Sequence, residues 1–440
     1  MKQYSAQEDY VFNTVNNRDV HFLRLWFADV LGNLKSFAIV PSELERAFDI
    51  GVPMDGNCIA GFESKQESDI IAWPEASSFQ ILPWRPAENC VARMFCNTKT
   101  PDGKPFVSDT RHILQQVLTK ASKMGYIANV KPEIEYYYFE DQSMPIPLDE
   151  GSAFDLTSLD CATDIRRDTI LTLESVGIPV EKSLHEAGAS QHEIDLRTQD
   201  ALSMADSILT YKLAVKEIAL KHGVYASFMP KPLNDQPGSS MHLHIHLSNE
   251  AGQNIFFAEN SGDKYCLSEK AKQFIAGILK YAKELCLITN QYQNSFKRLI
   301  AKDCLATQIA WSRDNRSTII RVPGHRPESE DCARIELKFP DAACNPYLAL
   351  AVILNAGLAG IKEGLKLQEA TETPKECTDK IDELPFTLGE AINEFENSKL
   401  MRETLGDSVF EYILKVKKAE WLKAISVVDE YELENYLAVL

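Results

Sequence analysis

Short strand-like segments with ionisable groups on one face and apolar groups on the other constrain this chain more than any other feature of its sequence. A strand turns residues i, i+2 and i+4 to the same side. On that period Glu133 and Glu135 share a face in KPEIEYYY (131–138), and His242, His244 and His246 share one in MHLHIHL (241–247). Arg334, Glu336 and Lys338 share a face in ARIELKF (333–339). In HEAGASQHEID (185–195), Glu186 and Glu193 flank a loop of small residues, and Glu193 and Asp195 share a face.

Any one of these segments could be the solvated side of an antiparallel sheet. Taken together they resist that reading, because solvated strand faces favour Thr, Lys and Ser. Here one strand offers only carboxylates and another only imidazoles. A cluster of Glu133, Glu135, Glu186, Glu193, Glu336 and His242 would repel itself unless cations sat within it. Mostly oxygen ligands with one imidazole suit Mg²⁺ or Mn²⁺ better than zinc. Six such ligands could hold two ions, which suggests phosphoryl chemistry on a nucleotide. Arg313, Arg316, Arg321, Arg326 and Arg334 fall within 22 residues of an otherwise acidic chain, and guanidinium groups bind phosphate bidentately. The alternative, arginines in a solvated loop, is opposed by the strand-like setting of Arg321 (STIIRVP) and Arg334.

Familiar nucleotide and catalytic devices are missing. The sequence has no G-x-x-x-x-G-K-[ST] loop and no G-x-G-x-x-G turn. His185-Glu186 and His192-Glu193 lack the second histidine of H-E-x-x-H, and Gly238-Ser239-Ser240-Met241 is not a G-x-S-x-G elbow. Nucleotide binding would therefore rest on metal and arginine.

The rest of the chain frames these strands. The first hundred residues read as β-rich. Val20 to Val40 forms two strands about a turn at Leu31-Gly32-Asn33, and Ser78–Leu82 and Cys90–Cys96 are further strands. A Gly/Pro turn at Thr100–Phe106 precedes a helical pattern with Asp109 or Thr110 as N-cap. The domain boundary falls near Lys104, giving units 1–104 and 105–440. Helical spacing is expected at Ala162–Ser175, Ala201–His222, Glu269–Thr289 and Pro346–Glu363, alternating with short strands. The class is therefore α+β.

Lys plus Arg is 46 and Asp plus Glu 64, a net charge of −18, which opposes nucleic-acid or anionic-membrane binding. Ten cysteines without a C-x-x-C pair read as reduced thiols in a cytoplasmic protein. No signal-peptide core is evident, and the longest apolar run, Tyr347–Ile361, is too short for a bilayer and reads as a buried helix. His185, His192 and His222 receive no role, and Tyr136–Phe139 reads as core.

At this point the pattern resembles type I glutamine synthetase and its amide-ligase relatives, over nearly the whole length. Eight motifs follow the family's order: MDGNCIAGFESKQESDI, KPEIEYYYFE, HEAGASQHEIDL, FMPKP, GSSMHLHIHLS, NSFKRL, AWSRDNRSTIIRVP and ARIELKFPDAACNPYLALA. The resemblance implies an N-terminal β-grasp domain and a large catalytic domain whose antiparallel sheet forms a half-barrel site packed with helices. It also implies a homo-oligomer, a dodecamer of two hexameric rings with sites between neighbours. By the same resemblance Glu135, Glu186 and Glu193 hold one metal, and Glu133, His242 and Glu336 a second. The cofactors are ATP and two or three Mg²⁺ or Mn²⁺ ions. Glu181, His244, Arg321 and Arg334 contact the nucleotide, and Arg316, Arg321 and Arg334 surround the phosphates. Gly238 and Arg298 bind the amino-acid substrate, with Arg298 on its α-carboxylate. Asp55 enters a neighbouring subunit's ammonium site. The implied reaction passes the γ-phosphoryl of ATP to a γ-carboxylate, and an amine then displaces phosphate.

Departures from the family pattern gather in the substrate half. Cys304 stands where the family's flap carries a glutamate, with Asp303 beside it. Pro237 replaces an asparagine near the donor acid. Lys338 replaces an arginine and loses the bidentate fork, yet keeps the charge for catalysis and substrate binding. Asp331 and His246 replace nucleotide contacts. The expectation is a ligase that joins glutamate, or a similar acid, to an organic amine other than ammonium. Ordinary glutamine synthetase is one alternative, and a non-catalytic regulator of the same fold is another.

Overall fold

The computed structural model describes residues 4–62, 69–156, 158–258, 264–301, 306–324, 333–373 and 381–440. Helix α1 (Ala6–Asn17) leads into β1 (Val20–Ala28) and β2 (Leu34–Ile39). Helix α2 (Leu44–Ile50) follows, then β3 (Val52–Asp55), β4 (Asp69–Pro74), β5 (Gln80–Ile81) and β6 (Cys90–Lys99). These strands form one sheet in the order β2-β1-β6-β4-β3, with β5 also on β6; β1 and β6 run parallel and the other pairs antiparallel. The expected hairpin about Leu31–Asn33 is present. The expected strand at Ser78–Leu82 shrinks to two residues because Ala76–Ser78 winds into a 3₁₀ turn. Helix α1 was not read from the sequence, although its capping box is there: Ser5 Oγ accepts from Glu8 N and Glu8 accepts from Ser5 N.

The remaining chain opens with α3 (Thr110–Lys123), capped by Asp109, whose carboxylate accepts from His112 N at 3.0 Å. It continues through β7 (Ile127–Phe139), α4 (Thr163–Ser175), β8 (Val180–His185), β9 (Gln191–Leu196), β10 (Gln199–Asp200), α5 (Ala201–Lys221), β11 (Tyr225–Ser227) and β12 (Met241–Ser248). Then come α6 (Glu269–Thr289), α7 (Gln293–Leu299), β13 (Gln308–Ser312), β14 (Thr318–Arg321), β15 (Ile335–Leu337) and α8 (Pro346–Glu363), with α9 (Leu388–Glu396), α10 (Lys399–Ile425) and α11 (Glu430–Tyr436) at the end. The second sheet has the order β13-β14-β15-β12-β7-β9-β8, with β10 and β11 pairing the long β7; every pair is antiparallel except β13–β14.

Helix α8 is apolar on all sides and almost wholly buried, as its sequence demands. Asn345 caps its start and Gly364, at φ 64°, ends it in the left-handed region. It packs on α6 with Gly277 against Gly360: a Cβ on Gly277 would stand 2.9 Å from the Gly360 Cα. One core joins the two sheets. Trp26, Trp84 and Phe95 belong to the same buried cluster as Ile134, Leu243 and Ile335. Asn345 Nδ2 donates to the carbonyls of Asp29 and Val30 across the seam.

This arrangement sets the second sheet's two faces. Ile134, Ile194, Leu243, Ile245, Ile335 and Leu337 point into the core, where Tyr211 of α5 donates to the Ile134 carbonyl at 3.3 Å. The alternate residues of the same strands face the other way, into a cleft.

Candidate active site

Strand register brings the ionisable residues together. On β7, Glu133 lies opposite His242 of β12 and Asp195 of β9, and Glu135 lies opposite Glu193. His244 lies between Lys131 of β7 and Glu336 of β15, and Glu336 lies opposite Arg321 of β14. Five adjacent strands thus contribute to one cup, which continues into a cleft of 610 Å³ lined by Glu135, Glu186, His242 and Glu336 together with Arg298, Arg313, Arg316, Arg321 and Lys338.

The contacts within the cup are short. His242 Nδ1 is 3.7 Å from Glu133 and 3.4 Å from Glu336. His244 Nδ1 accepts from Arg334 Nε at 3.0 Å, so its own proton sits on Nε2, 2.9 Å from Glu133. Arg321 donates to Glu336 at 2.9 Å. Glu135 is positioned by Ser240 N and Ser240 Oγ, each at 2.8 Å, and by Gln191 Nε2 at 3.2 Å. Gln191 Nε2 also donates to the Gly238 carbonyl, tying the carboxylate cup to the segment before β12.

Electrostatics separate the cup into two regions. Glu133 is buried, yet the imidazoles of His242 and His244 beside it hold its carboxyl far below the usual range. Glu336 is also lowered, since His242, His244, Lys338 and Arg321 outweigh its burial. On the β9 side burial and Asp195 push Glu193 up to about 10, and burial with Glu135 raises Glu186. Asp195 is raised as well, chiefly by burial; among the described residues its oxygens accept no hydrogen bond, and Oδ2 lies 3.2 Å from Lys182 and 3.7 Å from Lys131. Buried carboxylates with too few donors are what a divalent cation would neutralise. Ligand atoms of Glu133, Glu193 and Asp195 lie within 4.8 Å of one another, as do those of Glu133, His244 and Glu336. The donor set, oxygen-rich with imidazole at one side, fits hard divalent cations.

Other expected residues are placed as follows. Glu181 is exposed at the cup's rim and takes Lys131 Nζ at 2.8 Å. Arg298 is buried on α7, donates to the Phe339 carbonyl and lines the cleft. Gly238 faces it so closely that an added Cβ would overlap Arg298 Cγ. Pro237 lines the cleft, its carbonyl accepting from Tyr137 OH. Lys338 lies in the cleft and is lowered by burial. Asp55 is not brought into the cleft: it sits exposed at the end of the edge strand β3, accepting from Asn57 N. Lys302, Asp303, Cys304, Arg326 and Asp331 lie outside the described residues.

Sequence reasoning missed the supports of the cup. Lys131 shares the period of Glu133 and Glu135 and was readable; Ser240 and Gln191 were not, since their roles depend on register. Behind the cup, His185 bridges Asp149 and the Glu186 carbonyl, and Arg166 joins His192 to Asp160. These buried pairs give two of the histidines left without a role a structural one.

Comparison with known proteins agrees with this geometry. Residues 107–436 match the family model described as glutamine synthetase, catalytic domain, and residues 19–101 that described as glutamine synthetase, beta-grasp domain. A glutamine synthetase of Mycolicibacterium smegmatis is 46% identical, covering 98% of this chain and 99% of its own. One from Methanosarcina mazei is 43% identical, covering 100% and 99%. Among solved structures, a GmaS–ADP complex superposes with a TM-score of 0.88 at 27% identity, covering 97% of this chain and 99% of its own.

Proposed function

The chain belongs to the glutamine synthetase family, and from that premise we propose that it is an ATP-dependent carboxylate–amine ligase whose acceptor is an organic amine other than ammonium. It is a ligase of that family, with the β-grasp and half-barrel architecture. One contrast carries the finer reading. All six carboxylate and imidazole ligands that the resemblance implies are present in the sequence, whereas Cys304 stands where the family pattern places the flap glutamate. At neutral pH a thiol is mostly protonated and uncharged, so it offers the ammonium cation neither the negative charge nor the free base that an ionised glutamate does. An organic amine needs a base too, which Asp55 of a neighbouring copy or a group on the substrate would supply.

In this reading ATP lies along the cup, with Glu181, His244 and Arg334 toward the nucleotide and Arg316, Arg321 and Lys338 along its phosphates. Glu135, Glu186 and Glu193 would hold one Mg²⁺ or Mn²⁺, and Glu133, His242 and Glu336 another; bound there, the ions neutralise phosphate charge. Arg298 and Gly238 hold glutamate, its α-carboxylate on the guanidinium. The γ-carboxylate oxygen attacks the γ-phosphorus, ADP leaves, and an acyl phosphate forms. The amine then attacks the carbonyl carbon, loses a proton and expels phosphate. Arg316, Arg321 and Lys338 stabilise charge as it moves between oxygens, the main contribution expected in phosphoryl transfer.

The assembly in this proposal is a cytoplasmic dodecamer of two hexameric rings, which would bring the exposed Asp55 to a neighbour's cleft. The domain boundary is placed at 104/105, supported by family matches that end at residue 101 and resume at 107. No helix among the described residues is long and apolar enough to cross a membrane.

The names of the relatives at 43–46% identity favour a second reading, glutamine synthesis from ammonium. Phosphate release from ATP with Mg²⁺ or Mn²⁺ and glutamate separates the two. Ammonium is compared with alkylamines, ethanolamine and polyamines. Turnover with an organic amine and little with ammonium is expected; strong turnover with ammonium overturns the proposal.

A further inference from the structure

We propose that a second cavity, in the seam beneath the Leu31–Asn33 turn, binds a small ring-bearing organic anion, a carboxylate or phosphate monoester, and acts on the donor half of the cleft through a shared wall. The cavity has a volume of 530 Å³, close to that of the cleft, and none of its lining residues lines the cleft.

Its charge is opposite to that of the chain. Lys212, Lys216 and Lys297 line it in a protein of net charge −18. None of the three is within ion-pair distance of a carboxylate among the described residues. The one carboxylate in the lining, Glu420, is already engaged by Lys417 Nζ at 2.8 Å and Gln293 N at 2.9 Å. Lys212 donates to the Ala342 carbonyl at 2.6 Å, and an ammonium has three donors. Burial pushes Lys212 down to about 8. A cation set into a protein without a counter-charge is costly, and an incoming anion relieves that cost. The apolar part of the lining suits a ring. The buried Phe228 has Lys212 at 5.9 Å and Lys216 at 5.8 Å from its centroid, and Tyr225 and Tyr292 lie in the same lining.

The wall shared with the cleft is built from contiguous residues. Pro230 lines the second cavity, and its carbonyl accepts from Ser239 N at 2.8 Å beside Gly238. Lys297 and Arg298 are successive residues of α7, one lining each cavity. Lys231 N donates to Asn294 Oδ1 at 2.7 Å and Asn294 Nδ2 returns to the Lys231 carbonyl at 2.9 Å, clamping the 229–231 segment to the first turn of α7. An occupant pressing on Phe228 or on α7 therefore moves Gly238 and Arg298 together. The binding claim stands apart from the function proposed above; the coupling rests on it.

Pyridoxal 5′-phosphate is a suitable probe, being a ring, an anion and an aldehyde. The neutral lysine amine adds to the aldehyde carbon, water leaves, and added borohydride delivers hydride to the imine, marking the residue for peptide mapping. At pH 8 a lysine titrating near 8 holds about a hundredfold more neutral amine than an ordinary one near 10.4. The full-length protein is labelled with Mg²⁺ and ATP saturating the cleft. The expected result is that Lys212 labels ahead of exposed lysines, and that Lys216→Gln and Lys297→Gln, both at exposed positions, slow that labelling severalfold. Pyridoxine 5′-phosphate and benzoate then act as competitors, distinguishing a phosphate from a carboxylate occupant. Labelling in proportion to exposure, or equally fast labelling of Lys212 by uncharged pyridoxal, overturns the binding site. The coupling is read separately: pyridoxine 5′-phosphate should shift the KM for glutamate severalfold at little change in kcat, and an unchanged KM with proven binding refutes it.

Discussion

Gly238→Ala tests the link between packing and donor-acid binding at a single atom. The added Cβ would overlap Arg298 Cγ, and it would stand 2.7 Å from the Pro230 carbonyl and 3.1 Å from Arg298 Cβ. Pro230 cannot yield easily, because its carbonyl already receives Ser239 N. Arg298 must therefore retreat by about 1 Å, against a buried side chain held by the Phe339 carbonyl. Overpacking of this kind costs about 1–3 kcal/mol of stability. The displaced guanidinium also loses a charge-assisted bond to the substrate carboxylate, worth about 1.5–3 kcal/mol, or roughly ten- to a hundredfold in KM. The assay is phosphate release at saturating ATP with glutamate varied, alongside thermal melting and nucleotide affinity. The expected result is a raised KM for glutamate, a lowered Tm and unchanged nucleotide affinity, since Arg321 and Arg334 lie on other elements. Gly324→Ala, where an added Cβ meets nothing within 4 Å among the described residues, is the neutral control. An unchanged glutamate KM with a lowered Tm would refute the placement of Arg298 on the donor acid.

Three further outcomes are expected. Cys304→Glu should raise kcat/KM with ammonium by at least about tenfold, a modest share of what a positioned base contributes, read by the same phosphate-release assay. Lys338→Ala should lower kcat by about 100-fold or more, as loss of one charge-stabilising donor does, while Lys338→Arg retains turnover. Metal-free protein should lose stability as pH rises through the neutral range: Glu193 titrates near 10 in the folded state and near 4.3 unfolded, so the folded state holds the extra proton between those values. The slope approaches about 1.4 kcal/mol per pH unit, and denaturant melts with and without Mg²⁺ should show it vanish when the ion replaces the proton, with proton release on binding at pH 7.5.

What the sequence disclosed followed from the period of two. Once Glu133, Glu135, His242, Glu193 and Glu336 are assigned to one face each, antiparallel pairing makes them converge, and register supplies only the detail that Glu133 meets His242 and Glu135 meets Glu193. The long helices were legible because capping and apolar spacing are local; Glu269–Thr289 and Pro346–Glu363 begin and end where expected. Non-local facts were not legible. That Gly238 has no room beside Arg298, 60 positions away, depends on how α7 docks. That Ser240 and Gln191 position Glu135 depends on loops meeting over the sheet. The basic cavity joins residues from Leu31 to Glu420, and no spacing rule gathers them.

The division of the cleft between strands and connections explains how a relative of ammonium-using enzymes could take another amine. All but one of the six cup residues sit in strands whose register is set by a buried apolar face, so altering one disturbs its neighbours; Glu186 follows directly on β8. The residues proposed to meet the donor and acceptor fall outside those strands in sequence: Pro237 and Gly238 precede β12, and Cys304 is numbered between α7 and β13. Substitution there leaves the strand ladders intact, which is why binding specificity concentrates on loops carried by a rigid scaffold. Two independent layers should then show additive energetics. Glu135→Gln and Cys304→Glu act on different steps and different elements, so their effects on the free energy of activation should sum to within about 0.5 kcal/mol. A coupling several times larger would mean that the flap closes on the metal cup itself, and that acceptor choice and phosphoryl transfer are not separable in this fold.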